Sequence, residues 1–252
     1  MRRRAAVLNG AFDALTFDET VEAIFEALRS RVRGWVCTVN VATLMAMRRN
    51  RVLQSFVDRA LLVVADGQPI VWSARLFGGR LPERVTGIDL VEALCRRAAA
   101  QGRRVYLLGS TAPLVARAVA RLRERHPGLM IDGSHGHFSW ESAGQHAQAI
   151  RAHAVDLLFV GMGTPRQERY IESQWEQLGV GIAIGVGGSI DVLAGARFRA
   201  RPWVGRAGLE WLVRMAQEPR RLARRYVVTN TAFCLLIGRT LWRRLTRSRG
   251  EG

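Results

Sequence analysis

The sequence of 252 residues has no lysine, only three cysteines and no apolar segment long enough to cross a bilayer. Cys37, Cys95 and Cys234 are scattered within apolar segments, which argues against a disulfide framework or a zinc site and is typical of a reduced, cytoplasmic protein. The uncharged run Tyr226–Gly238 has 13 residues, fewer than the roughly 20 that a membrane-spanning helix needs. Polar residues interrupt the first segment, so no secretion signal is expected.

Two catalytic signatures are absent as well. No Asp-x-Asp occurs, so the carboxylate pair with which many nucleotide-sugar enzymes hold a divalent cation is missing. "GGSID" continues with Ile190 and Asp191 where a G-x-S-x-G nucleophile elbow ends in glycine, which disfavours hydrolase chemistry. "HGH", His135 to His137, offers two metal ligands without a third nearby. We therefore expect neither a metal nor a cofactor, and arginines would have to offset any diphosphate charge.

The basic charge is carried by arginine alone and is concentrated near the carboxyl end. The 38 arginines outnumber 21 acidic residues and give a net charge of +17. Residues 196–252 carry 14 arginines against three glutamates, whereas residues 1–195 carry 24 arginines against 18 acids. Trp203, Trp211 and Trp242 lie among these arginines, a pattern typical of a helix at lipid headgroups. We expect an anionic membrane surface as partner and no nucleic acid; a solvated arginine face and a nucleic-acid-binding α/β protein are the alternatives.

Short apolar runs alternate with segments of helical periodicity along residues 1–195. The runs are "WVCTV", "LLVVA", "RVYLLG", "GLMID", "DLLFVG" and "GIAIGV". This alternation predicts an α/β fold with a Rossmann-like, mostly parallel sheet and helices on both faces. Residues 196–252 are predicted to form a C-terminal basic amphipathic helical appendage of two helices, the second beginning at Pro219. The sequence leaves the oligomeric state open, a homo-oligomer included.

Glycines and polar residues cluster where the predicted strands end, in "TVN", "ADG", "LLGST", "VGMGTP" and "GVGGSID". These ends form the ligand-binding edge of a parallel sheet, and glycine lets backbone N–H groups approach an anion. "GMGTPR" has Arg166 where a dinucleotide fingerprint needs its third glycine, so an NAD-dependent oxidoreductase is the less favoured alternative. Pro165 is predicted at the first helical position. Gln167 and Glu168 in the first turn favour a ligand contact over a plain turn.

Asp66 follows "LLVVA" directly, and two interpretations of it are equally supported by spacing. A carboxylate at the mouth of the sheet is where a general base would lie. Alternatively, the same carboxylate could cap the helix that Pro69 indicates. "TGID", Thr86 to Asp89, matches a capping box with aspartate in place of glutamate, for which a structural role is the better explanation.

Six segments resemble one family over nearly the whole chain, the bacterial WecG/TagA/CpsF glycosyltransferases. They are "TVNVATL", "ADGQPIVWSARLFGGRLPERVTGIDL", "VYLLGS", "DLLFVGMGTPRQERYI", "IGVGGSIDVLAGARFRARPW" and "GLEWLVRMAQEPRRLARRY". The resemblance implies an inverting, metal-independent enzyme that moves a sugar from a UDP-sugar to a polyprenyl-diphosphate-linked sugar in cell-surface polysaccharide biosynthesis. It also implies a peripheral position on the inner face of the cytoplasmic membrane. The sugars of the family include N-acetylmannosamine, its uronic acid and glucose, and Val41 and Ala42 depart from the more polar residues of many relatives.

The resemblance further implies roles for single residues. Asp66 matches the proposed catalytic base, with Thr38 as a second catalytic candidate beside it. Asn40 and Gln167 would line the same pocket. Arg84 and three arginines of the appendage would meet the diphosphate: Arg214, Arg221 and Arg224. The other candidates for substrate binding are Gly67, Gly87, Asp89, Gly109, Ser110, Gly161, Gly163, Glu168, Gly187 and Gly188.

Overall fold

The computed structural model describes residues 3–198 and 200–248. The side chains outside that description are those of Pro202, Arg206, Arg221, Arg225, Arg244, Leu245, Arg247 and Ser248. The strands within these residues are β1 (Arg4–Val7), β2 (Gly10–Asp13), β3 (Gly34–Val39), β4 (Leu62–Ala65), β5 (Arg104–Gly109), β6 (Met130–Ser134), β7 (Leu157–Gly161) and β8 (Ile182–Gly185). Six of them form a parallel sheet in the order β4-β3-β8-β7-β5-β6. Each of these six overlaps one of the predicted runs, so the predicted sheet is confirmed.

Helices cover both faces of this sheet, as predicted. They are α1 (Phe17–Arg29), α2 (Val41–Met47), α3 (Arg51–Asp58), α4 (Gln68–Leu76), α5 (Gly87–Ala100), α6 (Ala112–Arg125), α7 (Ala143–Ala152), α8 (Arg166–Leu178) and α9 (Ser189–Leu193), with a 3₁₀ turn at Trp140–Ser142. One face packs against α1, α5, α6 and α9, and the other against α2, α3, α4, α7 and α8. The α/β class is therefore confirmed.

The alternation of side chains along a strand explains why the central strands are apolar throughout. In β7, Leu157 and Phe159 enter the core on one face of the sheet, whereas Leu158 and Val160 enter the core on the other. All four side chains are fully buried. A strand that is covered on both faces has no polar side, so it reads as a continuous apolar run.

The hairpin of β1 and β2 is one element that the sequence pattern did not indicate. Its strands have only four residues each, and the turn contains Leu8 at a φ of 55° rather than the usual glycine. The buried carboxylate of Asp13 accepts a hydrogen bond of 2.8 Å from the backbone N–H of Val63 in β4. The hairpin thereby covers the edge strand of the sheet, which would otherwise present unpaired backbone groups.

The C-terminal segment contains three helices, α10 (Pro202–Arg206), α11 (Glu210–Gln217) and α12 (Pro219–Ser248). The two longer ones are the predicted pair, and Pro219 begins the second as expected, whereas α10 was not predicted. Phe233 and Ile237 of α12 are buried and belong to the core cluster that contains Leu44 of α2. Among the described residues, no helix combines the length and the apolar character needed to cross a bilayer.

Candidate active site

Two adjoining cavities lie at the carboxyl ends of β3, β4, β7 and β8, beneath the C-terminal helices. The first has a volume of about 650 Å³ and the second about 370 Å³. Five residues line both: Asn40, Ala42, Glu210, Arg214 and Tyr226. The first cavity is polar at the sheet and apolar toward α4 and α12, whereas glycine turns and polar groups dominate the second. Four of the five strand ends that the sequence singled out therefore border a cleft, whereas the end of β5 lines neither cavity.

Asp66 lies in the first cavity, directly after β4. Its backbone N–H donates to the carbonyl of Val39 in β3 at 2.9 Å, while its half-buried carboxylate has no hydrogen-bond partner among the described residues. Gly67 is the N-cap of α4, and no side chain caps that helix. Of the two interpretations left open by spacing, the helix cap is thus not the one observed, and the carboxylate is available to a ligand.

Burial in the cleft raises the pKa of the Asp66 carboxyl from 3.8 to about 6. Arg214 and Arg84 oppose this rise, while Glu210 and Asp89 add to it. The desolvation of the carboxylate thus outweighs the attraction of the nearby guanidinium groups. A carboxyl with such a pKa is mostly ionised at neutral pH and is a stronger base than an exposed aspartate.

Arg84, Glu210 and Arg214 form an ion-pair cluster beside Asp66. Arg84 Nη1 donates to Glu210 Oε2 at 2.7 Å, and Arg214 Nη2 donates to Glu210 Oε1 at 3.1 Å. Arg84 belongs to the loop before α5, whereas Glu210 and Arg214 occupy successive turns of α11 and so share one helix face. The C-terminal segment and the sheet domain therefore meet through charged groups at the cleft.

Asn40 and Thr38 lie at the end of β3. Asn40 is the N-cap of α2, where its Oδ1 accepts hydrogen bonds from the backbone N–H and hydroxyl of Thr43 at 3.0 and 3.2 Å. Its amide nitrogen is unpartnered within the described part of the chain. The Thr38 hydroxyl donates to the carbonyl of Gly185 in β8 at 2.9 Å. Asn40 thus lines the cleft, while Thr38 ties two strands together just below it, and its catalytic role stays a prediction.

The glycine turns after β7 and β8 form one wall of the second cavity. Gly163 and Gly187 have φ values of 78° and 52°, in the left-handed region of backbone conformation that favours glycine. Both residues line the cavity together with Gly188. Gly161 lies behind this wall, where a Cβ atom would come within 2.7 Å of Ile190 Cδ1. The first three glycines present backbone to a ligand, and Gly161 permits close packing of β7 against α9.

Gln167 and Glu168 are buried under these turns. The Oε1 atom of Gln167 accepts from the backbone N–H of Gly187 at 3.1 Å, and its Nε2 donates to Glu168 Oε1 at 2.9 Å. The hydroxyl of Thr164 donates to the same oxygen at 2.9 Å. Helix α8 begins at Arg166, so the prediction of Pro165 as its first residue was wrong by one position: Pro165 is the N-cap. Direct substrate contacts by Gln167 and Glu168 remain predictions.

Of the other predicted site residues, only Gly67 lines one of the two cavities among those that the structure describes. Thr86 caps α5 by accepting from the backbone N–H of Asp89, which is one half of the predicted capping box; the Asp89 carboxylate accepts from the Thr86 hydroxyl. Gly109 packs against Gly161, and the hydroxyl of Ser110 donates to Asp191 in α9. Gly87 begins α5, Arg224 is exposed on α12, Gly67 lines the first cavity and the side chain of Arg221 lies outside the described residues.

Sequence reasoning did not single out Glu210 or Tyr226, which line both cavities. The spacing of Glu210 and Arg214 by four residues was a signal for a helical ion pair.

His137, in the "HGH" motif, has its Nδ1 atom 2.8 Å from the carbonyl oxygen of Ser110. Across residues 3–198 and 200–248, no three His, Cys, Asp or Glu side chains are arranged to hold a metal ion.

A parallel sheet with a carboxylate of raised pKa, arginines and glycine turns at one edge is an arrangement suited to group transfer from a phosphorylated donor. The model of the Glycosyl transferase WecG/TagA/CpsF family matches residues 5–249, and the chain belongs to this family. It is therefore a glycosyltransferase. This assignment replaces the two alternatives from the sequence, a nucleic-acid-binding protein and an NAD-dependent oxidoreductase.

Relatives with a stated activity come from Staphylococcus aureus. The proteins of strains MW2 and NCTC 8325 are each 30% identical over 220 residues, which is 86% of this chain and 86% of theirs. The protein of strain MRSA252 is 29% identical over the same length. All three are named N-acetylglucosaminyldiphosphoundecaprenol N-acetyl-beta-D-mannosaminyltransferase.

Proposed function

We propose that the protein transfers N-acetylmannosamine from its UDP derivative to N-acetylglucosamine linked through a diphosphate to a polyprenol, with inversion at the anomeric carbon. Asp66 carries this proposal, because its carboxylate has no hydrogen-bond partner among the residues that the structure describes and lies at the polar end of a cavity whose other end is apolar. The names of the Staphylococcus aureus relatives support the choice of sugars. The UDP derivatives of N-acetylmannosaminuronic acid and of glucose are the donors to test next.

The first cavity suits a lipid-linked acceptor. Its polar end holds Asp66 and Arg84. Its apolar walls come from α4 and α12 and include Trp72, Leu76, Phe233, Ile237 and Leu241. A polyprenyl chain could lie along these walls while the sugar and diphosphate stay at the polar end, so one cavity would match both parts of the acceptor.

The second cavity suits the nucleotide-sugar donor. Gly163, Gly187 and Gly188 bring backbone close to the cavity, and Arg197 and Arg214 are two of the arginines in its wall. Arg197 is paired with Asp191 and Glu218, and Arg214 with Glu210, so a diphosphate would share these guanidinium groups with the carboxylates. Backbone N–H groups and guanidinium groups are the usual partners of a diphosphate. Because Arg214 lines both cavities, it would lie near the junction at which donor and acceptor react.

The reaction needs one proton transfer and one displacement. The acceptor hydroxyl oxygen attacks the anomeric carbon while its proton passes to the Asp66 carboxylate. The bond from the anomeric carbon to the diphosphate oxygen breaks on the opposite face, and UDP leaves with the electron pair. Arg214, which lines both cavities, would stabilise the negative charge that develops on the departing UDP, while Arg84 in the first cavity would hold the diphosphate of the acceptor.

Residues 196–252 would act as an appendage that associates with the membrane and completes the site of the 1–195 catalytic domain. Trp203 and Trp242 are 60% and 70% exposed, and Leu235 on α12 is also exposed. Such aromatic and apolar groups among arginines fit an anionic bilayer surface, where each arginine contributes about 1 kcal/mol. The acceptor is anchored there, so we place the enzyme on the inner face of the cytoplasmic membrane.

A donor panel tests the proposed reaction. UDP release is measured for UDP-N-acetylmannosamine, its uronic acid and UDP-glucose, each with and without a polyprenyl-diphosphate N-acetylglucosamine, and the anomeric configuration of the product is read by NMR. We expect acceptor-dependent release with UDP-N-acetylmannosamine and a β-linked product, both lost in Asp66→Asn. Release that does not depend on the acceptor, or an α-linked product, would contradict the proposal.

A further inference from the structure

Arg84 is held beside Asp66 by the backbone of its own loop. The N–H of Val85 donates to the carbonyl of Ala65, the last residue of β4, at 2.8 Å. The preceding residue, Glu83, accepts from the backbone N–H of Phe17 at 2.7 Å. The loop is therefore fixed on both sides of Arg84, so the backbone from which the guanidinium extends has a defined position next to the predicted base.

The C-terminal segment encloses that guanidinium. Glu210 binds Arg84 Nη1 at 2.7 Å, and both side chains are largely buried. On the other side, a Cβ atom at Gly205 would come within 2.2 Å of Arg84 Nη2 and 2.6 Å of its Cζ. Only glycine allows the guanidinium to lie this close to the backbone, so Gly205 and Glu210 together form a socket for Arg84.

Glu210 connects this socket to the second arginine. Its other oxygen accepts from Arg214 at 3.1 Å, so one carboxylate holds two guanidinium groups that come from different parts of the chain. All three side chains line the first cavity together with Asp66. The carboxylate fixes the spacing of the two arginines across the cleft, which neither of their own chain segments could do alone.

We propose that Glu210 is a positioning residue of the transfer reaction and that the Gly205–Glu210 socket fastens the C-terminal segment to Arg84. In this role Glu210 does not touch the substrate; it orients Arg84 and Arg214 toward the diphosphate charge and fastens the helix that carries Arg214. The inference rests on the proposed function for its kinetic part, whereas the fastening of the segment can be tested without activity.

The test compares four variants of the full-length protein. Glu210→Gln removes the charge, Glu210→Asp keeps it on a shorter side chain, and Gly205→Ala fills the socket. The matched control is Glu22→Gln, because Glu22 also bridges two arginines, Arg29 and Arg97, at 2.6 Å each but lies on α1. For each we measure kcat, KM for both substrates, the pH profile of kcat/KM and the rate of tryptic cleavage within residues 196–248.

We expect kcat to fall at least about tenfold in Glu210→Gln and Gly205→Ala, with partial recovery in Glu210→Asp and wild-type rates in Glu22→Gln. Because the Glu210 charge raises the pKa of Asp66, the acidic limb of the profile should move to lower pH in Glu210→Gln. The shift of the limb reports that the Glu210 charge lies near Asp66, whereas the loss of kcat and its partial recovery in Glu210→Asp report the positioning of the two arginines. Tryptic cleavage should be faster in Glu210→Gln and Gly205→Ala.

Three results would overturn the inference. A wild-type kcat and pH profile in Glu210→Gln would show that the two arginines are positioned without it. A lower KM for both substrates in Glu210→Gln would show that the Glu210 carboxylate occupies the position in which a substrate phosphate binds. Unchanged tryptic cleavage in both socket variants would show that the segment is fastened elsewhere. If the wild type transfers no sugar, the proposed function fails, but the cleavage comparison still tests the socket.

Discussion

Replacing Asp66 by asparagine should stabilise the fold while removing most of the activity. Asparagine has the shape of the protonated carboxyl and cannot ionise, so it avoids the desolvation that an ionised carboxylate suffers in the cleft. As the proposed base, Asp66 would contribute between about a hundredfold and ten-thousandfold to the rate, which is the range of general base catalysis. Opposite effects on stability and turnover are typical of a group that is kept for its chemistry.

The size of the stabilisation follows from the pKa. Burial raises the pKa of Asp66 from 3.8 to about 6, so the folded protein binds this proton more tightly than the unfolded chain. Ionisation therefore destabilises the fold, by about 3 kcal/mol at pH values above the folded pKa. The penalty shrinks as the pH falls through 6, is about 1 kcal/mol at pH 4.5 and vanishes below 3.8.

The assay is chemical denaturation of wild type and Asp66→Asn at pH 7.5 and pH 4.5. We expect the variant to be more stable by about 3 kcal/mol at the higher pH and by about 1 kcal/mol at the lower. An equal free energy of unfolding at pH 7.5 would mean that the carboxylate is well solvated or fully balanced by arginine. That result would refute the account of Asp66 as a base of raised pKa.

Three further predictions concern the cleft and the membrane surface. Gly161→Ala should lower the free energy of unfolding by about 1–3 kcal/mol, because the new Cβ would lie within 2.7 Å of an atom in α9; unchanged denaturation would show that this turn can relax. Gln167→Leu should cost about 1–3 kcal/mol by leaving the Gly187 N–H unpaired, and an unaltered melting curve would contradict that. The double variant Trp203→Ala, Trp242→Ala should sediment less with anionic vesicles at unchanged stability, whereas equal sedimentation would exclude these tryptophans from the contact.

The sheet could be predicted because its strands are buried on both faces. β-branched and apolar runs followed by glycine are a strong local signal, and all six runs became strands. The β1–β2 hairpin has no such signal, since its strands are short and Leu8 occupies a turn position that usually takes glycine. Its place is fixed instead by Asp13 and the N–H of Val63, a contact between residues 50 positions apart.

The edge of the sheet that carries the site was predictable for the same reason, but the direction of its side chains was not. Asp66 and Gln167 both lie just beyond a strand end, yet one faces the cleft and the other supports a turn beneath it. Whether such a side chain faces the cleft or supports a turn depends on which backbone groups of the neighbouring turns lack a hydrogen-bond partner. Gln167 meets the otherwise unpaired N–H of Gly187, while Gly67 caps α4 without help from Asp66.

The site is divided between two parts of the chain, and this division bears on when the base is effective. Asp66 and Arg84 belong to the sheet domain, whereas Glu210 and Arg214 belong to α11. Burial is the largest cause of the raised pKa of Asp66, and α11 and α12 supply much of the wall that excludes water from the first cavity. With these helices docked, as in this structure, the proposed base has a raised pKa and both arginines lie beside it. Without them, the carboxylate would be more solvated and the arginine of α11 would be missing from the cleft. Such a site would act on a donor sugar mainly when the C-terminal helices close it, and closure at the membrane would bring the reaction to the acceptor.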